Sequence, residues 1–310
     1  RVYDFSEGGR EMRDLLGGKG ANVAEMTRLG LPVPKGFTIT TETCIEYLRG
    51  DHTFPVGLTR EVTAHLAALE AAAGKKLGDS ANPLLVSVRS GAKFSMPGMM
   101  DTVLNLGLND ESVQGLAART GDRRFAYDSY RRFIQMFGDV VAEVSKEHFE
   151  KALSAMKARR RVEQDVDLSA DDLKHLAEVF KDIYREHRGE AFPQDPREQL
   201  DASIRAVFES WDNRRARGYR RLNRIDHHLG TAANVQQMVF GNTGTNSGTG
   251  VAFTRNNVTG EKAEPFGDFL INAQGEDVVA GIRTPRPLAE LKDEIPEAYE
   301  QLSRTMDQLE

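Results

Sequence analysis

The stretch V-S-V-R-S-G-A-K-F-S-M-P-G-M-M-D-T, residues 86–102, decides how the rest of the chain is read. A short apolar strand over 84–88 leads into it, with β-branched residues suited to a buried place in a sheet. That strand is expected to deliver Arg89 and Ser90 at its end, before a loop carrying Gly91, Pro97 and Gly98. A guanidinium beside small, glycine-containing backbone suits a polyphosphate. Arg offers a planar fork of donors, and glycine lets backbone N–H groups approach closely. Such a loop taken alone is more often a solvated turn. Two methionine-bearing turns, Asp101 and a second apolar run over 103–106 weigh against that here.

On the N-terminal side, L-L-G-G-K-G-A-N (15–22) leads into a helix that runs to about residue 29. Glycines around Lys19 at a helix start bring free N–H groups, a favourable dipole and a mobile cation together. This is not a Walker A loop, because Gly20 follows Lys19 and position 13 is Arg. By itself the motif is as well explained by a flexible turn with a surface lysine. A turn-rich link (30–36), a strand (37–41) and a helical stripe on Val62, Leu66 and Leu69 complete this part.

Composition sets the limits. At 310 residues, 39% hydrophobic and 28% charged, the chain has material for more than one compact unit. A net charge of -6 argues against a general nucleic-acid binder. No apolar run approaches a membrane span and no signal-peptide pattern opens the chain. The single cysteine, Cys44, forbids an intrachain disulfide and fits a reducing cytoplasm. A start at Arg1 rather than Met suggests a piece of a longer protein.

From residue 110 the pattern turns helical. Helices are expected over 125–144, with Tyr127, Tyr130, Phe133, Ile134 and Phe137 on one face, over 146–161, and after Ser169. Ser169 reads as a cap with Asp172 three residues on, where a capping box would carry Glu or Gln. Arg159–161 are cations at a helix end. Arg214, Arg215, Arg217, Arg220, Arg221 and Arg224 crowd one stretch and need carboxylates or an anion facing them. A strand over 235–240 then enters the glycine-rich run 241–250, read as a phosphate flap or as a plain hairpin tip. Residues 268–279 alternate and then present Glu276 and Asp277 in a glycine turn, which could hold a ribose or a metal, or cap the turn. An amphipathic helix covers 295–310.

Over the whole chain these motifs resemble the nucleotide-binding domain of pyruvate phosphate dikinases. V-R-S-G-A-K-F-S-M-P-G-M-M-D-T is nearly that family's signature without a gap. L-L-G-G-K-G-A-N, S-G-T-G-V-A-F-T-R with N-V-T-G-E-K, and N-A-Q-G-E-D-V-V-A-G-I-R-T-P match too. The resemblance implies an α/β (α+β), ATP-grasp-like fold of two α/β lobes with an inserted all-helical subdomain. Its divisions fall at 1–109 (N-terminal lobe), 110–195 (helical insertion), 196–233 (returning helices) and 234–310 (incomplete C-terminal lobe). It implies that Lys19 contacts ATP and acts with Arg89 as the catalytic pair. Gly98, Asp101, Arg132, Thr249, Gly250, Glu276 and Asp277 are implied as further ATP or phosphate contacts. One departure is Asn256-Asn257, where the family commonly carries Asp-Pro, and an altered turn is expected there.

The family's Mg2+-binding acids follow the last helix, so no metal ligand is expected within this chain. Its phosphorylated histidine lies in a G-G-x-T-S-H motif, and its pyruvate site in a barrel. None of the seven histidines here has that context. The implied reaction of the whole enzyme uses ATP and phosphate to phosphorylate that histidine and then converts pyruvate to phosphoenolpyruvate, releasing AMP and pyrophosphate. The chain alone is expected to bind ATP weakly or not at all and not to turn over. Its implied partners are the phosphohistidine and pyruvate domains, with a homodimer for the full-length protein. Phosphoenolpyruvate synthase is the second enzyme reading, ranked below because its loop lacks S-M-P-G-M-M-D-T. A non-catalytic nucleotide-binding or regulatory piece is the reading from another class.

Overall fold

The computed structural model describes residues 1–262, 265–279 and 283–310, without the side chains of Glu276 and Val279. It is mixed α/β and divides into two compact units, Arg1–Met238 and Val239–Glu310. Among the described residues no helix is long and apolar enough to cross a membrane.

The first unit begins with β1 (Val2–Asp4), α1 (Arg13–Arg28), β2 (Gly36–Ile39), α2 (Thr41–Arg49), α3 (Leu58–Ala73), β3 (Lys76–Leu77) and β4 (Pro83–Leu84). Next come β5 (Val86–Ala92), β6 (Thr102–Leu106), α4 (Ser112–Thr120), α5 (Arg123–Val140), α6 (Lys146–Arg160) and α7 (Ala170–Arg188). It closes with α8 (Pro196–Ser210), α9 (Arg214–Leu222) and β7 (Thr231–Gln237). The main sheet has the order β1-β2-β7-β5-β6 with antiparallel neighbours throughout, and α8 packs across β5, β6 and β7.

Register makes the two faces different. Thr38, Asn234, Arg89 and Thr102 stand opposite one another on β2, β7, β5 and β6, so they share one face. The alternate residues Phe37, Ile39, Val88 and Val235 are fully buried on the other. Two sequence expectations are corrected here. Arg89 lies inside β5 rather than at a strand end, because pairing with β7 continues to Ala92↔Thr231. The strand expected over 235–240 spans Thr231–Gln237, and its pairing with β2 and β5 ties it to the first unit. The second compact unit begins at Val239, after this strand.

The helices end where their caps dictate. Ser169 accepts from the Asp172 amide while the Asp172 carboxylate accepts from the Ser169 amide, so Asp completes the box in place of Glu. The α5 stripe of Phe133, Ile134 and Phe137 is buried, and Phe192 meets Phe133 and Phe137 edge-on at 5.7 and 5.4 Å. Beneath the stripe lies a charged cluster. Asp128 pairs with Arg131 at 2.8 Å and Arg132 at 3.0 Å, and Arg131 also reaches Asp165 at 2.8 Å. The arginine-rich stretch is partly structural. Arg220, wholly buried, stacks on Trp211 at 3.9 Å, donates to the Trp211 carbonyl and His227 Nδ1, and pairs with Asp212, as Arg217 does.

The second unit carries β8 (Gly248–Phe253), β9 (Phe266–Ile271), α10 (Gly275–Val279), β10 (Arg286–Pro287), α11 (Leu291–Glu294) and α12 (Pro296–Leu309). Its sheet has the order β10-β9-β8. At Asn256 the side chain accepts from the Val258 and Thr259 amides, an Asx turn.

Burial works to raise the Asp128 pKa, but Arg131, Arg132 and Arg124 outweigh it and hold the carboxyl at about 2. A depressed folded pKa contributes stability above the unfolded value near ~3.9 and loses it as pH falls toward 2. Asp128→Asn is expected to cost about 3–5 kcal/mol at pH 7, because it strands buried guanidinium charge. In urea unfolding across pH, that deficit should shrink only below about pH 4. A deficit that stayed constant down to the lowest pH would remove the ionised Asp128 from the stability of this region.

Candidate functional site

Gly17 decides where Lys19 sits. Its backbone (φ 69°, ψ 175°) interrupts α1, so the regular helix starts at Gly18 and carries Lys19 in its first turn. A Cβ on Gly17 would lie 1.5 Å from the Gly91 carbonyl oxygen, and one on Gly20 would lie 2.8 Å from Asn234 Oδ1. Only glycine permits this approach of helix to strand. The start of the helix is latched to the end of β5 as well. Arg13 donates to the Lys93 carbonyl at 3.1 and 3.3 Å, and Lys93 pairs with Asp14 at 2.5 Å.

This packing brings Lys19 and Arg89 within electrostatic reach of each other. Burial lowers the Lys19 pKa, and the Arg89 charge lowers it further. Burial also lowers that of Arg89. Both side chains keep contact with solvent while protein crowds their other sides. Among the described residues, neither has a hydrogen-bond or ion-pair partner from a side chain or the backbone. Two partly desolvated cations with no counter-charge among the described residues favour an arriving anion, and a polyphosphate supplies several charges at once.

The remaining expected residues divide between the two units. Gly98 sits at φ 70° in an exposed turn, with open space where a side chain would be. That loop is tied to the α8–α9 corner by Asn213, which donates to the Met99 carbonyl at 2.9 Å. The charges that act on Asp101 are Arg215, Asp139 and Glu143. Burial raises its pKa, with Asp139 and Glu143 adding to the rise and Arg215 opposing it. Arg132 belongs to the Asp128 cluster, and no contact described for it reaches Lys19 or Arg89.

In the second unit Thr249 and Gly250 lie within β8 rather than in a flap. Gly250 is needed there because a Cβ would stand 2.7 Å from the Asp268 carbonyl. The loop before β8 is shaped by Ser247, whose hydroxyl donates to the carbonyls of Gly241 and Gly244. Glu276 and Asp277 fall on the short helix α10 rather than in a glycine turn. The Glu276 side chain lies outside those described. Asp277 is buried and accepts from the Gln274 amide at 2.9 Å, so this carboxylate is engaged with its own helix start.

Among the described residues the one group of three ligand-type side chains is Asp4, Glu7 and His65. Its members already satisfy one another: Glu7 accepts from the Asp4 amide at 2.7 Å, and His65 Nδ1 lies 2.7 Å from Asp4 Oδ1. The set does not suit Mg2+, which favours oxygen ligands in an octahedron.

The family model for "Pyruvate phosphate dikinase, AMP/ATP-binding domain" matches residues 13–53 and 51–296. The chain belongs to the pyruvate phosphate dikinase family. It is 60% identical over 301 residues to the pyruvate, phosphate dikinase of Clostridium symbiosum, covering 97% of this chain and 34% of that protein. Against the chloroplastic pyruvate, phosphate dikinase 1 of Oryza sativa subsp. japonica the identity is 58%, covering 97% and 32%. Against the pyruvate, phosphate dikinase of Giardia intestinalis it is 57%, covering 94% and 34%. The chain thus spans about a third of the length of these relatives.

Within this AMP/ATP-binding domain, sequence reasoning passed over Thr38 and Asn234. The available signal was a polar residue at every second position in otherwise apolar strands: Thr38 and Thr40, Ser87 and Arg89, Asn234 and Gln236.

Two outcomes are expected. Gly17→Ala combines a positive φ with a clash against backbone, so it should lower stability by roughly 2 kcal/mol or more in denaturant unfolding. Arg89→Ala should raise the pH midpoint for amine labelling of Lys19, read by peptide mass spectrometry, because one of the two causes of its depression is gone. An unmoved midpoint would mean that the two cations do not sense each other.

Proposed function

We propose that this domain binds ATP through its phosphates, with Lys19 and Arg89 as the two cations that neutralise them. The observation that carries the reading is the pair itself. Family membership supports it, since the matching model describes an AMP/ATP-binding domain. The reading extends to an ATP-grasp-like architecture with the helical insertion at 110–195. Gly98 supplies open backbone beside the phosphates in this reading.

The wider reaction is likewise a proposal, carried from relatives about three times as long. In it, ATP and phosphate charge a histidine that then phosphorylates pyruvate to phosphoenolpyruvate, with AMP and pyrophosphate leaving. The contribution of this chain is positional and electrostatic. Lys19 and Arg89 hold the polyphosphate in one place and stabilise charge as it shifts between phosphoryl oxygens. Magnesium would add charge neutralisation to such chemistry.

Titration of the chain with ATP by calorimetry tests the reading. Arg89→Ala should weaken binding by roughly 1.5–3 kcal/mol, the range for a hydrogen bond to a charged group, and Lys19→Ala should weaken it comparably. ATP affinity equal to the parent in both variants would sink the assignment.

A further inference from the structure

We propose that Asn234, oriented by Thr38, is a positioning residue that sets the Lys19-bearing helix against the Arg89-bearing strand. The inference rests on the phosphate-site reading for its functional meaning, but its geometry stands independently. Asn234 occupies β7, directly opposite Thr38 on β2 and Arg89 on β5. The three side chains therefore form one row across the sheet, on the face where α1 packs.

The amide of Asn234 is buried, and its two ends are committed differently. Oδ1 accepts from Thr38 Oγ1 at 2.8 Å, which fixes which end of the amide faces β2. Nδ2 is thereby turned toward β5 and lies 3.5 Å from the Arg89 carbonyl. Glycines flank it on both sides. A Cβ on Gly20 of α1 would meet Oδ1 at 2.8 Å, and one on Gly91 of β5 would meet Nδ2 at 2.5 Å. The amide thus fills the gap between the helix and the strand, one residue from Lys19 along α1 and two from Arg89 along β5.

A buried amide is costly unless bonded, and an apolar side chain would close a sheet row more cheaply. What the amide provides is direction: a hydroxyl on one side and a backbone carbonyl on the other hold the spacing between two like charges. The other charged groups at this end of α1 do not replace it, because Arg13, Asp14 and Lys93 are engaged with one another. Replacing the hydroxyl of Thr38 leaves Oδ1 without its donor, which frees the amide to turn and relaxes the row.

The test compares Thr38→Val, Thr38→Ser and Asn234→Ala with the parent chain, using three readouts. These are the melting temperature, the pH midpoint of Lys19 amine labelling in the ATP-free chain, and ATP affinity by calorimetry. Thr38→Val and Asn234→Ala should move the Lys19 midpoint upward, toward that of Arg89→Ala, and weaken ATP binding about fivefold, the order of one neutral hydrogen bond. Thr38→Ser keeps the hydroxyl and should restore both. A melting temperature lowered in Thr38→Val with the midpoint left at the parent value would overturn the inference, since that is what a structural role alone produces. The Thr38 pair carries the test if Asn234→Ala does not fold. If Arg89→Ala leaves ATP affinity unchanged, the phosphate reading fails separately, and the labelling midpoint still decides the positioning role.

Discussion

The backbone of Gly17 rests against the Gly91 carbonyl so closely that no side chain fits between them. Most of what is distinctive in the first unit follows from that contact. It requires a break in α1, so that the helix restarts at Gly18 with Lys19 in its opening turn. It also requires small residues beneath the helix, met by Gly20 over Asn234 and Thr38. The glycines of L-L-G-G-K-G therefore serve the packing of helix on strand. Their effect on chemistry is indirect, through the place where the lysine emerges.

Charge compensation separates scaffold from site. Around Asp128 the arginines have carboxylates to meet, and Arg220 has Asp212 and the Trp211 ring. Arg160 reaches Asp172 at the cap of α7. These groups are settled within the fold, and their removal would be felt as lost stability. Lys19 and Arg89 differ, since each is partly desolvated and, among the described residues, has no opposite charge paired with it. A fold tolerates such an arrangement when something arrives to complete it, and an anionic ligand completes it best.

Legibility in the sequence followed locality. The cap at Ser169 and the aromatic stripe of α5 were readable because each depends on residues a turn apart. The cation pair was legible as two motifs, since glycines beside a basic residue leave a mark in composition. The position of β7 was not, because its pairing with β2 and β5 spans most of the first unit, and neither partner is close in sequence. For the same reason Arg89 was placed at the end of its strand, Thr38 passed as an ordinary strand residue, and Asn234 fell just before the strand expected at 235–240. In the second unit Thr249 and Gly250 were taken as loop because glycine suggests one. The close approach of β9 to β8 accounts for Gly250 instead.

Whether Lys19 and Arg89 serve one anion is most directly measured by a double-mutant cycle on ATP affinity, using Lys19→Met, Arg89→Leu and the double variant. Groups that engage the same polyphosphate and repel each other without it should show a coupling energy above ~0.5 kcal/mol, beyond the tolerance for independent sites. Losses that simply add would mean two separate cations, and would contradict a single phosphate site built by the contact of α1 with β5.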